Sequence, residues 1–342
     1  MNETINKIPG EILEVPAAKM FSYPTYLADA WTPRILQIYR PEYQSIQPGI
    51  EYQVVEGTTD SINYVGASKK EFLLKNYKKL TPPLKIEDDR VFFDARYIFQ
   101  DNVAHMIINV MPVAVHIANN GYPNLNVILH KEPKKFTLKV CELMGIPALT
   151  TDKEVQGKLI KATDFNKAIV PDKFYRSILP LYAEKVVAKD QYEIYPRVLI
   201  GRKGSRKITN ESEVEILLKD YGFKKVYYED IPMEQQWLIS KHAEIIVGIH
   251  GAAFGALMFN QSRVKVIEIF HPGYVVYSIR NIVACVGGTW CGVTGQMPET
   301  FSEAELAENP RKFADASITV NLDSLRLALD YMDVRFVEAR NV

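Results

Sequence analysis

The sequence has few of the features that mark membrane-spanning, disulfide-bonded or nucleic-acid-binding proteins. No run of about 18 apolar residues occurs among its 342 residues, which predicts no membrane span. Its three cysteines, Cys141, Cys285 and Cys291, include no Cys-x-x-Cys pair, which predicts reduced thiols rather than a disulfide framework or a zinc site. Basic and acidic residues number 41 each, and this balance predicts no nucleic acid partner.

The N-terminus also lacks an apolar stretch of signal-peptide length. We therefore expect a cytoplasmic protein, and peripheral contact with the inner membrane stays open. The oligomeric state stays open as well.

Four motifs with well-defined chemistry are absent. No Gly-x-Gly-x-x-Gly occurs, which argues against an ordinary dinucleotide fold, and no Gly-x-x-x-x-Gly-Lys-Ser/Thr occurs, which excludes a P-loop. No Gly-x-Ser-x-Gly occurs, which excludes a hydrolase nucleophile elbow. No Asp-x-Asp pair occurs, which disfavours a metal-held diphosphate, so protein cations would have to bind a diphosphate instead.

The length predicts about two domains, and alternating strands and helices predict the α/β class. Residues 1–85 are rich in proline, tyrosine and charge, and we interpret them as an irregular portion packed on the first domain. Residues 86–190 predict a Rossmann-like domain with a parallel sheet. A second such series fills 191–300, and a helical tail follows over 301–342. Two domains of this kind suggest a ligand-binding cleft between them.

The stretch "IIVGIHGAAFGALMF", 245–259, joins a buried strand to a predicted helix. His250 ends the strand, and Gly251 allows close backbone approach immediately before the helix. The free N–H groups of a helix start suit a phosphate, to which His250 can donate. The alternative is a histidine that only hydrogen-bonds a neighbouring loop.

A second stretch, "GRKGSRKITNE" (201–211), places four basic residues after another strand of the same series. Guanidinium groups match phosphate geometry, so Arg202 and Arg206 predict anion binding at the same sheet edge. The alternative is surface charge paired with Glu211 and Glu213. Asn210 is expected to cap the following helix, with Glu213 completing a capping box.

Glu268 lies near the end of the next strand, where a carboxylate often binds a ribose hydroxyl. Buried structural pairing is the alternative. Tyr274 follows in "HPGY" and is expected to bring an aromatic ring to the site.

In the first domain, Asn102 and His105 lie at a loop-to-helix junction. His105 is the first candidate for a general base, and Asp101 is the second. A histidine that only caps the helix is the alternative.

These motifs together resemble glycosyltransferase family 61, a group that includes capsular polysaccharide biosynthesis proteins. The resemblance covers about 90–290. In the first domain the family pattern has an acidic residue four positions after the histidine, and this chain has Asn109 there. That departure puts any base at position 109 in doubt. The positions that match the family on the donor side are Arg202, Arg206, Asn210, Glu211, Gln236, His250, Gly251, Ala252 and Glu268.

The resemblance implies a GT-B fold, with two facing Rossmann-like domains and the donor bound in the second. It implies inverting transfer of a sugar from a nucleotide-sugar donor to a glycan or lipid-linked saccharide acceptor, without cofactor or metal. A role in cell-surface polysaccharide synthesis follows from the capsular members. Two alternatives stay open, a nucleotide-sugar epimerase on the same scaffold and a non-catalytic nucleotide- or glycan-binding protein.

Overall fold

A computed structural model describes residues 5–15, 19–21, 43–47, 49–59, 82–96, 101–162, 176–271, 274–276, 278–296 and 315–336. The chain divides into two units. The first comprises Met1–Ile12 and Ile46–Lys185, and the second comprises Leu13–Ser45 and Val186–Val342. Each unit is described in turn.

The strands, numbered in chain order, are β1 (Asn6–Ile8), β2 (Glu11–Val15), β3 (Lys19–Phe21), β4 (Tyr43–Gln47), β5 (Ile50–Thr58), β6 (Leu84–Lys85), β7 (Val91–Asp94), β8 (Leu125–Leu129), β9 (Ala148–Thr150), β10 (Val155–Ala162), β11 (Arg197–Gly201), β12 (Lys224–Tyr227), β13 (Ile245–Ile249), β14 (Lys265–Phe270) and β15 (Thr289–Thr294).

The α-helices are α1 (Val103–His105), α2 (Met111–Asn119), α3 (Lys135–Met144), α4 (Leu179–Lys185), α5 (Glu211–Asp220), α6 (Met233–His242), α7 (Ser278–Cys285) and α8 (Leu322–Tyr331). A π-helical turn over Met106–Val110 joins α1 to α2, and 3₁₀ helices cover Arg176–Ile178, Tyr228–Asp230 and Ala252–Phe259.

The sheet of the first unit has the strand order β1-β5-β10-β7-β8-β9, and β6 also pairs with β10. Strands β10, β7, β8 and β9 run parallel, whereas β5 is antiparallel to both of its neighbours. The parallel strands β7 and β8 are buried along their whole length, which is why their sequences are mostly apolar. Phe92, Ile128 and Leu159 form part of the core beneath them.

The exit of β7 is fixed by a buried ion pair. The guanidinium of Arg96 binds both carboxylate oxygens of Asp94 at 2.9 and 2.6 Å, and both side chains are almost wholly buried. Arg96 Nη1 also donates to the Lys153 carbonyl at 2.8 Å. Such bidentate geometry compensates the desolvation of both charges and holds the strand end against the β9–β10 turn.

The sheet of the second unit is parallel throughout, with the order β12-β11-β13-β14-β15-β3. Its core packs Val214, Leu218 and Leu325 from α5 and α8 against Ile267 and Ile269 of β14. The chain moves outward from β11 in one direction to β12 and in the other to β13, so the order reverses between β11 and β13. In open α/β sheets, ligands bind at the carboxyl ends of the strands on either side of such a reversal.

The expectation of an α/β fold with parallel sheets is confirmed, and the GT-B arrangement stays a prediction. Residues 1–85 were expected to be irregular, but the part that the structure describes contains β1 to β6. Of these, β1, β5 and β6 belong to the first sheet, whereas β3 pairs with β15 in the second. Three residues are too few for a strand pattern to be recognisable.

The structure refines one local prediction in the second unit and contradicts another. The predicted helix after Gly251 is present over Ala252–Phe259 and is a 3₁₀ helix. The capping box at α5 is absent, because the Asn210 side chain makes no cap hydrogen bond. Its amide oxygen accepts from Val320 N at 2.9 Å and its Nδ2 donates to Val320 O at 2.9 Å, which ties α5 to the segment before α8.

Candidate functional site

The ends of β11 and β13 bring the basic stretch 201–211 and the histidine-containing stretch 245–259 together. β11 leads into Arg202, β13 leads into His250, and the strands pair in parallel register from Arg197↔Ile245 to Ile200↔Gly248. The carboxyl ends of these two strands therefore lie side by side at the point where the strand order reverses. The sequence prediction that both stretches share one sheet edge follows directly from this register.

Two guanidinium groups converge on one backbone oxygen. Arg202 Nη1 and Arg206 Nη1 donate to the His250 carbonyl at 3.3 and 3.0 Å. Burial and the nearby charge of Arg206 lower the pKa of Arg202. Arg206 Nε is buried and has no acceptor among the described residues. The site therefore concentrates positive charge and leaves a donor without an acceptor, which is the electrostatic environment that an anion would stabilise.

Gly251 is needed for this close approach. A Cβ at this position would lie 2.5 Å from Arg202 Nη1, so any side chain would displace the guanidinium. The backbone of Gly251 is extended, with φ 173°, so the requirement is one of space and not of conformation. Ala252 and Ala253 begin the 3₁₀ helix here and are partly exposed.

His250 is held from behind by a buried carboxylate. Its Nδ1 lies 2.6 Å from Glu268 Oε1, and Trp290 Nε1 donates to Glu268 Oε2 at 2.7 Å. Glu268 is completely buried, and burial raises its pKa despite the hydrogen bonds from His250 and Trp290. Because Glu268 engages Nδ1, the ring presents Nε2 as its remaining polar atom. Glu268 thus positions His250, in agreement with the alternative of buried pairing.

Aromatic rings complete the site. Phe270 stacks on the His250 ring with a centroid distance of 5.7 Å, and Tyr274 contacts its edge at 5.7 Å. The guanidinium of Arg206 lies over the Tyr274 ring at 5.3 Å. Tyr274 therefore orients both Arg206 and His250, as expected for an aromatic residue brought to this edge by "HPGY".

This arrangement can bind a ligand with two adjacent negative groups. Two guanidinium groups, one imidazole and the first N–H groups of the 3₁₀ helix all lie at the same sheet edge.

Residues 103–267, which include this edge and the helical segment with His105, match the family model described as Glycosyltransferase 61. Over this segment, which is just under half of the chain, the protein is similar to that family. No curated protein matches it significantly.

Three further predicted donor residues use their side chains to tie elements of the second unit together. Asn210 binds the backbone of Val320, as described above. Glu211 accepts from the Tyr227 hydroxyl at 2.7 Å. Gln236 Nε2 donates to the carbonyls of Tyr228 and Ile231. These contacts support the loops beside Arg202 without directing the three side chains at a ligand.

The predicted bases lie in the first unit, at the start of the helical segment. Asn102 caps α1 by accepting from Ala104 N at 2.9 Å, and Asp101 precedes it and is exposed. Asn109 Nδ2 lies 3.0 Å from His105 Nδ1, and burial lowers the pKa of His105. Asn102 and not His105 caps α1, and burial favours the neutral form of the His105 ring.

Arg202, Arg206 and His250 form what we call the anion site. Sequence reasoning missed two residues that contact this site or its supporting carboxylate. Trp290 supports Glu268 from β15, and Asp315 contacts Arg206. A tryptophan inside a buried strand reads as core, and Asp315 is about 110 residues from Arg206 in the sequence. Neither position carries a signal that a single sequence reveals.

The first unit also has a groove of about 640 Å³. It is lined by residues such as Glu56, Asp88 and Lys158, and no predicted site residue lines it.

Over the described ranges, no group of three or more histidine, cysteine or acidic residues is arranged to hold a metal ion. Within those same ranges no helix has the length and apolar character needed to cross a bilayer.

Arg206 has a left-handed backbone with φ 61°, which is strained for a residue with a side chain. We expect the unfolding free energy of Arg206→Gly to exceed that of Arg206→Ala by about 1 kcal/mol, because only glycine adopts this conformation without strain. In urea titrations Arg206→Gly should therefore unfold at the higher concentration. Both variants lose the guanidinium, so they isolate the backbone effect. Equal stabilities would show that the folded protein does not keep this conformation.

Proposed function

We propose that this protein is an inverting glycosyltransferase that moves a sugar from a nucleotide-sugar donor to a glycan or lipid-linked saccharide. The observation that carries the proposal is the convergence of Arg202 and Arg206 on the His250 carbonyl where the strand order reverses. A diphosphate supplies the two adjacent negative groups that this site would stabilise. The capsular members of the family motivate a role in cell-surface polysaccharide synthesis.

On the donor side, the protein's own cations act on the leaving group. As the bond between the anomeric carbon and the diphosphate oxygen breaks, negative charge grows on the diphosphate. Arg202 and Arg206 stabilise that charge, and His250 donates from Nε2 while Glu268 holds Nδ1. This charge comes from side chains, so the proposed mechanism needs no metal ion.

On the acceptor side, a base takes the proton of the attacking hydroxyl while its oxygen bonds to the anomeric carbon from the opposite face. His105 is our first candidate because burial lowers its pKa and favours the neutral ring. Nε2 can accept the proton when Nδ1–H donates to the amide oxygen of Asn109. This requires the Asn109 amide to turn so that its oxygen, which is buried and has no hydrogen-bond partner among the described residues, replaces Nδ2 beside Nδ1. Asp101 is the second candidate.

The proposal is tested by a screen of nucleoside diphosphates and nucleotide sugars for thermal stabilisation, run with and without EDTA. We expect at least one nucleotide to raise the melting temperature equally in both conditions. Stabilisation that disappears with EDTA would contradict metal independence. If no nucleotide stabilises the protein, the donor site is rejected. Donor turnover without any acceptor would instead favour an epimerase.

We expect His105→Ala to lower the transfer rate by about 10²- to 10⁴-fold while donor affinity stays unchanged, because general base catalysis contributes that much. His116→Ala is a matched control, since His116 is also a half-buried histidine of this helical segment whose pKa is lowered by burial. Its rate should remain close to that of the wild type. Transfer rates and calorimetric donor affinities separate the two effects, and full activity in His105→Ala would remove His105 as the base.

A further inference from the structure

A carboxylate of the protein itself lies against the anion site. Asp315 Oδ1 is 3.5 Å from Arg206 Nη2 and accepts from the Ser205 hydroxyl at 3.2 Å. Its charge also opposes the fall in the pKa of Arg202 that burial and Arg206 cause. No other carboxylate of the described residues forms an ion pair with Arg206.

The backbone delivers Asp315 to this position. Arg206 N donates to the Asp315 carbonyl at 3.3 Å, and Ile208 and Ile318 form a parallel bridge. Ile318 N donates to Lys207 O at 2.8 Å and Thr209 N donates to Ile318 O at 2.8 Å. Residues 315–318 thus run along the loop from Arg206 to Thr209 and hold the Asp315 carboxylate beside Arg206. These backbone contacts do not depend on the ion pair.

The two partners of this ion pair differ in exposure. The Arg206 side chain is 18% exposed, whereas the Asp315 side chain is 75% exposed. An exposed carboxylate at 3.5 Å forms a weak ion pair and can rotate into solvent at little cost. Arg206 in contrast stays anchored by the His250 carbonyl and the Tyr274 ring.

We propose that Asp315 is an affinity-determining residue of the donor site, whose carboxylate occupies Arg206 until a donor phosphate displaces it. This inference rests on the proposed function, in which Arg206 binds the diphosphate. When the donor binds, its phosphate replaces the Asp315 carboxylate at Arg206. When the product leaves, the carboxylate returns to Arg206 and assists the release. Asp315 therefore weakens the hold on the nucleoside diphosphate product, which favours turnover wherever product release limits the rate, as it does in many enzymes.

The test measures binding of UDP and, separately, of inorganic pyrophosphate by calorimetry. We expect Asp315→Asn to bind both ligands about two- to fivefold more tightly than the wild type, because neutralising one competing surface charge has an effect of this size. Most of the gain should appear as slower dissociation of UDP. Ser205→Ala, which removes the hydroxyl that holds the carboxylate, should shift affinity in the same direction by a smaller factor.

Asp323→Asn is the matched control. Asp323 is also an exposed carboxylate paired with an arginine, Arg326, at 2.8 Å, and it lies in the first turn of α8. The substitution changes the net charge by the same amount and should leave both affinities unchanged. A tightening equal to that of Asp315→Asn would reduce the effect to net charge and overturn the inference.

The failure of this inference is distinguishable from failure of the proposed function. If the wild type binds neither UDP, any other nucleoside diphosphate nor pyrophosphate, the donor site itself is rejected. If the wild type binds and Asp315→Asn binds equally or more weakly, only the competing role of Asp315 is rejected. Unchanged affinity in Asp315→Asn together with tighter binding in Ser205→Ala would also contradict it, since the hydroxyl acts through the carboxylate.

Discussion

Replacing both Arg202 and Arg206 with alanine is expected to weaken UDP binding by at least about a hundredfold. Each guanidinium can form charge-assisted hydrogen bonds with a phosphate, and each such interaction contributes about 1.5–3 kcal/mol. The single variants should each lose about tenfold or more, and His250→Ala should also weaken binding. Isothermal calorimetry on the folded variants measures all four affinities.

Arg326→Ala controls for the loss of positive charge. Arg326 is an arginine of α8 whose side chain is 49% exposed and whose described partner is Asp323, so its removal should leave UDP affinity unchanged. Arg206→Lys keeps the charge but loses the planar fork, and we expect an affinity between those of the wild type and Arg206→Ala. Wild-type affinity in both Arg206→Ala and His250→Ala would reject the assignment of this edge as the donor site.

Removing the buried carboxylate of Glu268 is expected to lower the unfolding free energy by about 3–5 kcal/mol in Glu268→Ala. That change leaves Trp290 Nε1–H and the polar Nδ1 of His250 without their buried partner. Glu268→Gln keeps one oxygen and one polar nitrogen in place, and we expect it to lose only about 1–2 kcal/mol. Urea unfolding, followed by tryptophan fluorescence and circular dichroism, compares the two variants.

The difference in unfolding free energy between the wild type and Glu268→Gln is expected to depend on pH. Burial raises the pKa of Glu268 above its ordinary value of 4.5, so the folded state keeps this proton to higher pH than the unfolded state does. The carboxyl therefore favours folding below about pH 4.5 and loses this contribution as the pH rises through the raised pKa. Wild-type stability measured relative to Glu268→Gln should fall over that range. A constant or rising difference would show that the carboxyl is not desolvated as described.

Much of the second unit was predictable because its signals are local. A buried parallel strand is a mostly apolar run bounded by polar residues, so β11, β13 and β14 were placed from sequence, although Glu268 interrupts the apolar run of β14. The convergence of Arg202 and His250 then follows from a general rule about parallel sheets. The same rule holds for Tyr274, which follows the next strand.

What could not be predicted depends on contacts between residues far apart in the sequence. Asn210 has the residue type and position of a helix cap, but Val320 competes for its side chain from about 110 residues away. Glu268 has the position of a ribose ligand, and only its burial and its contact with Trp290 show that it supports His250. The 3₁₀ geometry of Ala252–Phe259 follows no local signal, because this segment is apolar on every side.

The position of β3 has a consequence for how the chain is made. Lys19 of β3 pairs with Cys291 of β15, about 270 residues later, so the sheet that carries the anion site cannot close until nearly all of the chain has been synthesised. The first unit is complete by Lys185 and can fold earlier on the ribosome. A fragment beginning at Val186 would leave the edge of β15 unpaired and prone to aggregation. Recombinant expression of the second unit alone therefore requires Leu13–Ser45 to be supplied with it.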